Sequence, residues 1–424
     1  MKQLLRSKFV RNVIIVASGT AGAQVITMLF SPIITRMYGP EAFGVMGTFS
    51  AMINIITPVA ALTYPIAIVL PKTHDEAKKI MKLSMFVAII LSIISLISVI
   101  LFKDSITSIF NLVEISSYIY FIPLVIIFAA FMQVMEQWLI RTKQFSINAR
   151  ATFYQSLIVN VSKVGIGYFH PVAQVLIFFT AIASGLRGFM MFIFSKKPKE
   201  FNDKGAIEEF ISVNQVAKKH KDFPIYRAPQ DLLDSIQQSF PVVLLTMFFG
   251  PAATGFYTIG RTVLRLPSNL IGKAVGDVFY PRIAEAANKK EDMAKLIKKG
   301  TIALAAVGIV PYGLVVLFGP YLFSFVFGSE WETAGEYARW IALWSYFALM
   351  NRPSVRTLPV LNAQRFHLIF TLINTILKLT LIVLAYYLFK SDIVAVALFC
   401  LAGVLSNSAL ILITLRLSKR KMVK

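Results

Sequence analysis

Two segments set the frame for this chain: Arg36-Met37-Tyr38-Gly39-Pro40-Glu41-Ala42-Phe43-Gly44 and Met247-Phe248-Phe249-Gly250-Pro251-Ala252-Ala253-Thr254-Gly255, each lying between two long apolar runs. Landmarks downstream recur in the same order. Tyr64-Pro65-Ile66-Ala67 answers Tyr280-Pro281-Arg282-Ile283-Ala284, Leu101-Phe102 answers Leu317-Phe318, Arg141-Thr142 answers Arg356-Thr357, and Lys163 answers Lys378. The offset runs from 211 residues (Gly39 to Gly250) to 216 (Pro65 to Pro281), so the chain reads as two copies of one unit. Duplicated helical halves around a cavity are a transporter architecture. A duplicated enzyme domain would repeat a catalytic cluster, and the sequence holds none, so no enzymatic activity is expected.

Composition places that unit in a bilayer: 57% of residues are hydrophobic, only 15% are charged, and the mean hydropathy is +0.69. Runs of about 20 apolar residues, enough to cross a ~30 Å hydrocarbon core, fall at 12–34, 43–70, 80–102, 115–140, 151–168, 171–195, 229–249, 255–280, 301–318, 337–351, 366–389 and 393–415. The expected fold is all-α and polytopic, with twelve transmembrane helices in two six-helix repeats forming two lobes around a central cavity.

Six spans per half give both copies the same orientation and put both termini on one side. Of the 43 lysines and arginines, only Arg36, Lys103, Arg339 and Lys390 fall on the loops opposite the termini, while most of the rest lie on the termini's side. The positive-inside rule therefore makes the termini and the long central loop cytoplasmic. Much of the net charge of +22 is topological, and nucleic acid is not an expected partner. The basic N-terminus ahead of the first apolar run superficially resembles a signal peptide. The run is too long for one, so it reads as an uncleaved first helix.

The domain reading is an N-terminal lobe over 1–195, a cytoplasmic basic linker over 196–228 and a C-terminal lobe over 229–424. The linker carries Lys196-Lys197-Pro198-Lys199 and Lys218-Lys219-His220-Lys221. Two readings stay open for it: contact with membrane lipid headgroups at about 1 kcal/mol per basic residue, or plain solvation.

Chemistry has to come from polar groups inside the spans, where an ionisable side chain costs at least about 2.5 kcal/mol and usually faces a cavity. Those groups are mostly cationic. Arg261, Arg265, Lys273 and Asp277 fall at about 0, 40, 120 and 160 degrees around one helix and share a face. Lys163 and Lys378 occupy equivalent positions of the two repeats, and Arg187 sits within the sixth span. A cavity lined by these groups would attract a multiply charged anion such as a diphosphate. For Arg261 and Lys273, near the ends of their span, snorkelling to headgroups is the competing reading.

The first span adds a polar stripe, Thr20, Gln24, Thr27 and Ser31, which the offset of 211 carries onto Asp231, Ser235, Gln238 and Val242. Gln24 and Gln238 are the candidate cargo contacts here, with hydrogen bonding between helices as the alternative. Glu136, Asp231 and Asp277 are candidate coupling groups for H+ or Na+; the membrane potential itself is the other candidate driving force. Pro58 and Pro65 in the second span, and Pro267, Gly272 and Gly276 in the eighth, suggest interrupted helices at matching positions. No nucleotide-binding G-x-x-x-x-G-K-[ST] loop occurs. The four histidines lack metal-ligand spacing, and Cys400 is the only cysteine, so neither a metal site nor a cofactor is expected.

Tyr38-Gly39-Pro40-Glu41-Ala42-Phe43-Gly44-Val45, Ala67-Ile68-Val69-Leu70-Pro71-Lys72 with Asp75-Glu76-Ala77, Phe223-Pro224 with Pro229-Gln230-Asp231-Leu232-Leu233, and Phe249 to Tyr257 with Leu266-Pro267 and Val278-Phe279-Tyr280-Pro281 carry a resemblance over nearly the whole chain. In this order and spacing they resemble the polysaccharide flippases of the multidrug, oligosaccharidyl-lipid and polysaccharide exporter superfamily. The resemblance implies translocation of undecaprenyl-diphosphate-linked oligosaccharide, such as an O-antigen (lipopolysaccharide) or capsule repeat unit, across a bacterial inner membrane by alternating access. It also implies polysaccharide polymerase and chain-length proteins as partners. Related sequences often carry Arg-Tyr-Glu where this chain has Thr63-Tyr64-Pro65, so no role of that charged pair carries over. The alternatives are a cation-coupled multidrug antiporter, which should carry more membrane acids, and a membrane polysaccharide polymerase, which the short external loops disfavour.

The charge distribution predicts that reporter fusions after Lys199, Lys290 and Lys421 read as cytoplasmic and those after Lys103 and Glu332 as exported. An exported signal at Lys199 would overturn the six-plus-six arrangement.

Overall fold

The computed structural model describes residues 8–71, 73–109, 116–196, 212–289 and 291–423, with side chains for all of these except 8–17, 109, 266–278 and 420–423. Among the described residues the chain forms helices and no strands: α1 (Lys8–Ile56), α2 (His74–Ile109), α3 (Ile122–Arg141), α4 (Phe145–Gly167), α5 (Ala173–Phe194), α6 (Val213–Lys219), α7 (Ala228–Asn288), α8 (Met293–Phe327), α9 (Glu332–Met350), α10 (Arg352–Thr357), α11 (Gln364–Phe389) and α12 (Asp392–Val423). Eight segments are long and apolar enough to cross a membrane, and two of them, Ser18–Val59 and Phe223–Arg265, run to 42 and 43 residues, about twice what one crossing needs. The remaining passes, α4 and α9, are less apolar and are held by packing, α4 on α1 and α5, and α9 on α8 and α12.

The two long helices are explained by the repeated Gly-Pro. Each is two helices joined across one non-helical residue, Gly39 (φ 68, ψ 173) in α1 and Gly250 (φ 85, ψ 177) in α7. A side chain rarely tolerates that backbone region, and the following Pro also steers its predecessor away from helix. The Pro then begins the next helix, where its missing N–H costs nothing. The chain reverses at this point in α7. Thr246 and Thr254 are eight residues apart, about 12 Å along a straight helix, yet their buried hydroxyls are 2.8 Å apart.

Helix pairing repeats as well. In the first half α2 packs on α3, α3 on α5 and α4 on α5; in the second, α8 packs on α9, α9 on α12 and α11 on α12. The α8–α9 contact is backbone against backbone, because a Cβ on Gly319 would sit 2.5 Å from the Gly335 carbonyl, and one on Gly335 would sit 2.4 Å from that of Gly319. Outward faces are aliphatic, as Ile89, Ile93, Ile97 and Ile100 show on α2 and Leu372, Ile373 and Ile376 on α11.

One expectation fails. The second span does break, into 3-10 turns at Thr57–Val59 and Tyr64–Val69 with Thr63 left-handed. The eighth does not, since α7 stays helical through Pro267, Gly272 and Gly276 to Asn288. The break in the first half is stabilised by donors from α3: Gln133 Nε2 bonds the Thr57 carbonyl (2.7 Å), and Arg141 bonds the carbonyls of Ile68, Pro71 and Thr73 (3.2, 2.7 and 2.8 Å). The far end of α7 leaves the apolar region as an ion-pair ladder joining Arg282, Glu285, Lys289 and Glu291.

The connection between the halves is described over 212–227; 197–211 lies outside the described residues. Most of 212–227 is exposed, and it is anchored at a few points. Ser212 and Gln215 form a capping box that starts α6, Val216 is fully buried among α2, α3 and α5 side chains, and Lys219 pairs with Glu76 at 2.6 Å. Thr63 and Tyr64 complete the dock by donating to the carbonyls of Phe223 (3.0 Å) and Ala217 (3.4 Å). The compact units are Met1–Val243 and Leu244–Lys424, so the first turns of α7 group with the N-terminal unit, past the boundary at 229 read from the sequence.

Because a Cβ at Gly250 would meet nothing within 4 Å, Gly250→Ala should act through backbone strain alone, costing about 1–3 kcal/mol. Gly313, in a regular part of α8 and equally open, is the control; Gly313→Ala should be neutral or stabilising by about 0.5–1 kcal/mol. Thermal unfolding of the two detergent-purified variants checks the pair, and equal effects would remove the turn's special role.

Candidate functional site

In the N-terminal unit the turn motif is tied to the lysine-bearing turn of α4. Tyr38, buried and immediately before Gly39, donates its hydroxyl to the Lys163 carbonyl at 2.7 Å. Gly167 leaves room for it, since a Cβ there would lie 2.2 Å from the Tyr38 oxygen. The Lys163 ammonium, half-buried, meets only neutral groups: Thr180 Oγ1 at 3.4 Å and Met46 Sδ at 4.0 Å. Both contacts are long, and among the described residues no carboxylate pairs with it.

The polar stripe of α1 divides. Thr27 Oγ1 is 3.1 Å from Ser156 Oγ on α4, and Asn160 Nδ2 reaches Thr27 Oγ1 at 3.4 Å, so Thr27 ties two helices together. Gln24, one turn away, is half-buried, and Gln238 is exposed. Asp231 forms an i,i+4 pair with Arg227 at 3.1 Å at the start of α7.

Arg187 and Glu136, read from the sequence as a cargo contact and a separate coupling candidate, come together. Arg187 Nη2 donates to Glu136 Oε1 (3.3 Å) and to Asn148 Oδ1 (2.9 Å), while Asn148 Nδ2 donates to Glu136 Oε1 (3.2 Å). The triad joins α3, α4 and α5. Sequence reasoning missed it because its members lie up to 51 residues apart. One signal was there: a lone acid and a lone base in neighbouring spans of low dielectric tend to pair.

In the C-terminal unit, Lys378 lies over the Trp344 ring (5.1 Å from its centroid) and the Phe399 ring (5.9 Å), and those two rings pack edge-on at 5.4 Å. Gly403 lets Trp344 approach, as a Cβ there would lie 2.5 Å from the indole. Arg261, half-buried, and Arg265, exposed, sit one turn apart on α7. The side chains of Lys273 and Asp277 lie outside the described residues. The sequence candidates thus fall on both units, and each repeat contributes a lysine surrounded by neutral groups at the equivalent place.

A family model described as polysaccharide biosynthesis protein matches residues 33–336. No curated protein matches. Among solved structures, the chain is similar to an inward-facing multidrug resistance MATE family transporter of the MOP superfamily (TM-score 0.72, 14% identity, covering 94% of this chain and 95% of that one). It is similar also to the lipid II flippase MurJ in an inward closed conformation (TM-score 0.73, 12% identity, 97% and 91%). A MOP superfamily transporter from Pyrococcus furiosus, whose binding pocket is described as reversed in polarity, matches at TM-score 0.59 and 12% identity over 99% and 97%. With a family match over most of its length and an all-helical membrane fold shared with these transporters, the chain belongs to the polysaccharide biosynthesis protein family and has the MOP-superfamily fold.

Proposed function

We propose that the protein is a flippase that carries polyprenyl-diphosphate-linked oligosaccharide from the inner to the outer leaflet of a bacterial plasma membrane, with its termini in the cytoplasm. The observation that carries this reading is the matched pair Lys163 and Lys378, cations inside membrane helices whose described partners are neutral. An uncompensated ammonium in apolar surroundings is costly unless an anion arrives, and a diphosphate headgroup supplies one. Arg265 and Arg261 would add donors on α7, with Arg265 suited to bidentate phosphate contact. Gln24 and Gln238 in the N-terminal unit and Lys273 in the C-terminal unit are proposed as further cargo contacts. Arg187 has a weaker claim, because Glu136 already balances it.

The same pairing argues against a cation-coupled drug antiporter. Glu136 is engaged by Arg187 and Asn148, and Asp231 by Arg227. Outward movement of an anion across an inside-negative membrane is favoured by about 2.3 kcal/mol per charge per 100 mV, so the potential can drive the crossing without a coupled ion. If H+ or Na+ coupling operates, Asp277 is the residue we assign to it, four residues from Lys273. Proximity to polysaccharide polymerase and chain-length proteins follows from the same role.

Lys163→Ala, Lys378→Ala and Arg265→Ala should each abolish surface glycan at near-normal protein abundance, with Arg265→Lys restoring only part. Full glycan export by the alanine variants would reduce these residues to structural cations. In proteoliposomes holding lipid-linked oligosaccharide, flipping should follow an imposed potential; active efflux of a cationic dye with no flipping would sink the reading.

Arg187→Ala should behave differently. It strands Glu136 and Asn148, so abundance and thermal stability should fall, by about 1–3 kcal/mol. Glu136→Gln combined with Arg187→Gln should recover most of that loss. Undiminished stability in Arg187→Ala would return Arg187 to the cargo site.

A further inference from the structure

One end of the N-terminal unit carries a groove that the transport reading does not use. It lies between α4 and α5, where the α3–α4 turn meets the end of α5, and encloses about 820 Å³. The turn is fixed by a reciprocal amide clamp, with Gln144 Nε2 donating to the Lys196 carbonyl (3.0 Å) and the Lys196 N–H donating to Gln144 Oε1 (2.9 Å). Three exposed cations, Lys143, Arg150 and Lys196, line the groove, and no acid does.

Both walls are graded in the same direction. On α4, Arg150, Tyr154 and Ile158 follow one another every four residues along one face, about 6 Å per step. Along the end of α5 and the residues just after it, traversed the opposite way, Lys196, Phe194 and Met190 give the same order of cation, aromatic and aliphatic. Tyr154 and Phe194 meet edge-on at 6.4 Å across the groove and remain 45% and 40% exposed. This is the polarity profile of a bilayer leaflet from headgroup to acyl chain. A second hollow of about 410 Å³, lined by Ser18, Gly19, Ser146, Ala149, Arg150, Phe153 and Tyr154, adjoins at the level of Arg150 and adds serine hydroxyls to the headgroup end.

We propose that this groove is a binding site for an anionic phospholipid of the leaflet at that end, its phosphate held by Lys143, Arg150 and Lys196 and an acyl chain lying along Tyr154 and Ile158. The cations supply the charge complement. The serine-bearing hollow beside Arg150 gives room and hydroxyls for the glycerol part of a phospholipid headgroup, which a polyprenyl phosphate lacks. The site is independent of the cargo reading, since it shares no residue with Lys163, Lys378 or the α7 arginines.

Native mass spectrometry of the purified full-length protein, titrated with dioleoylphosphatidylglycerol or dioleoylphosphatidylcholine, tests the proposal. Phosphatidylglycerol should bind at least about tenfold more tightly than phosphatidylcholine. The triple variant Lys143→Gln, Arg150→Gln, Lys196→Gln should lose at least that factor for phosphatidylglycerol alone. Ile158→Trp, which fills the floor without changing charge, should weaken binding as well. A control set in the same unit, Lys78→Gln, Lys82→Gln, Lys221→Gln, should leave it within about twofold of the parent. Unchanged thermal midpoints establish that each variant is folded. Three results would each overturn the assignment: equal binding of the two phospholipids, equal loss in the control set, or displacement of phosphatidylglycerol by equimolar undecaprenyl phosphate.

Discussion

A reversal of chain direction made with a single non-helical residue is the constraint on which this structure rests. Each half makes its first return with a single non-helical glycine instead of a loop, which sets the second pass directly after the first. Gly39-Pro40 and Gly250-Pro251 keep the interruption to one positive-φ residue followed by a residue with no N–H to satisfy. What packs around each turn depends on that tightness: the Tyr38 hydroxyl reaches the backbone of α4, and Thr246 meets Thr254 across the turn in α7.

Duplication supplied two copies of this device, and the copies then diverged where the second pass ends. Tyr64-Pro65 lies in a broken, 3-10 segment, while its counterpart Tyr280-Pro281 continues a helix. The break is possible in the first half because Gln133 and Arg141 satisfy the carbonyls that a helix would have used. Thr63, at the first position of the resembling Arg-Tyr-Glu segment, and its neighbour Tyr64 hold the chain around α6. The departure from the family pattern thus has a structural occupant.

The passes, their grouping by six and the Gly-Pro turns were legible in the sequence because each rests on local signals: apolar run length, a repeated dipeptide and a constant offset. The lysines at 163 and 378 were legible for the same reason. Proline content was a poorer guide. Pro58 and Pro65 mark a real break, but Pro267 sits in an unbroken helix, since a helix can absorb a proline when neighbouring groups take up the freed carbonyl. The docking of α6 and the Glu136–Arg187–Asn148 triad were not legible, because partners such as Glu76 and Lys219, 143 residues apart, meet only through the packing of several helices. Basic composition suggested solvent or lipid around the linker; the anchoring of 212–227 by one buried valine and one salt bridge was not visible in it.

The two equivalent lysines differ in what keeps them company. Lys163 has a hydroxyl and a thioether, each at long range, whereas Lys378 rests on the faces of Trp344 and Phe399. A ring face attracts an ammonium through its quadrupole, by about 0.5–2 kcal/mol, but carries no net charge. It therefore eases the burial of the cation without cancelling its charge; on the proposed reading, it would yield the ammonium to an anionic headgroup without leaving a stranded carboxylate behind. A glutamate in its place would have bound the lysine more firmly and left the site electrically spent.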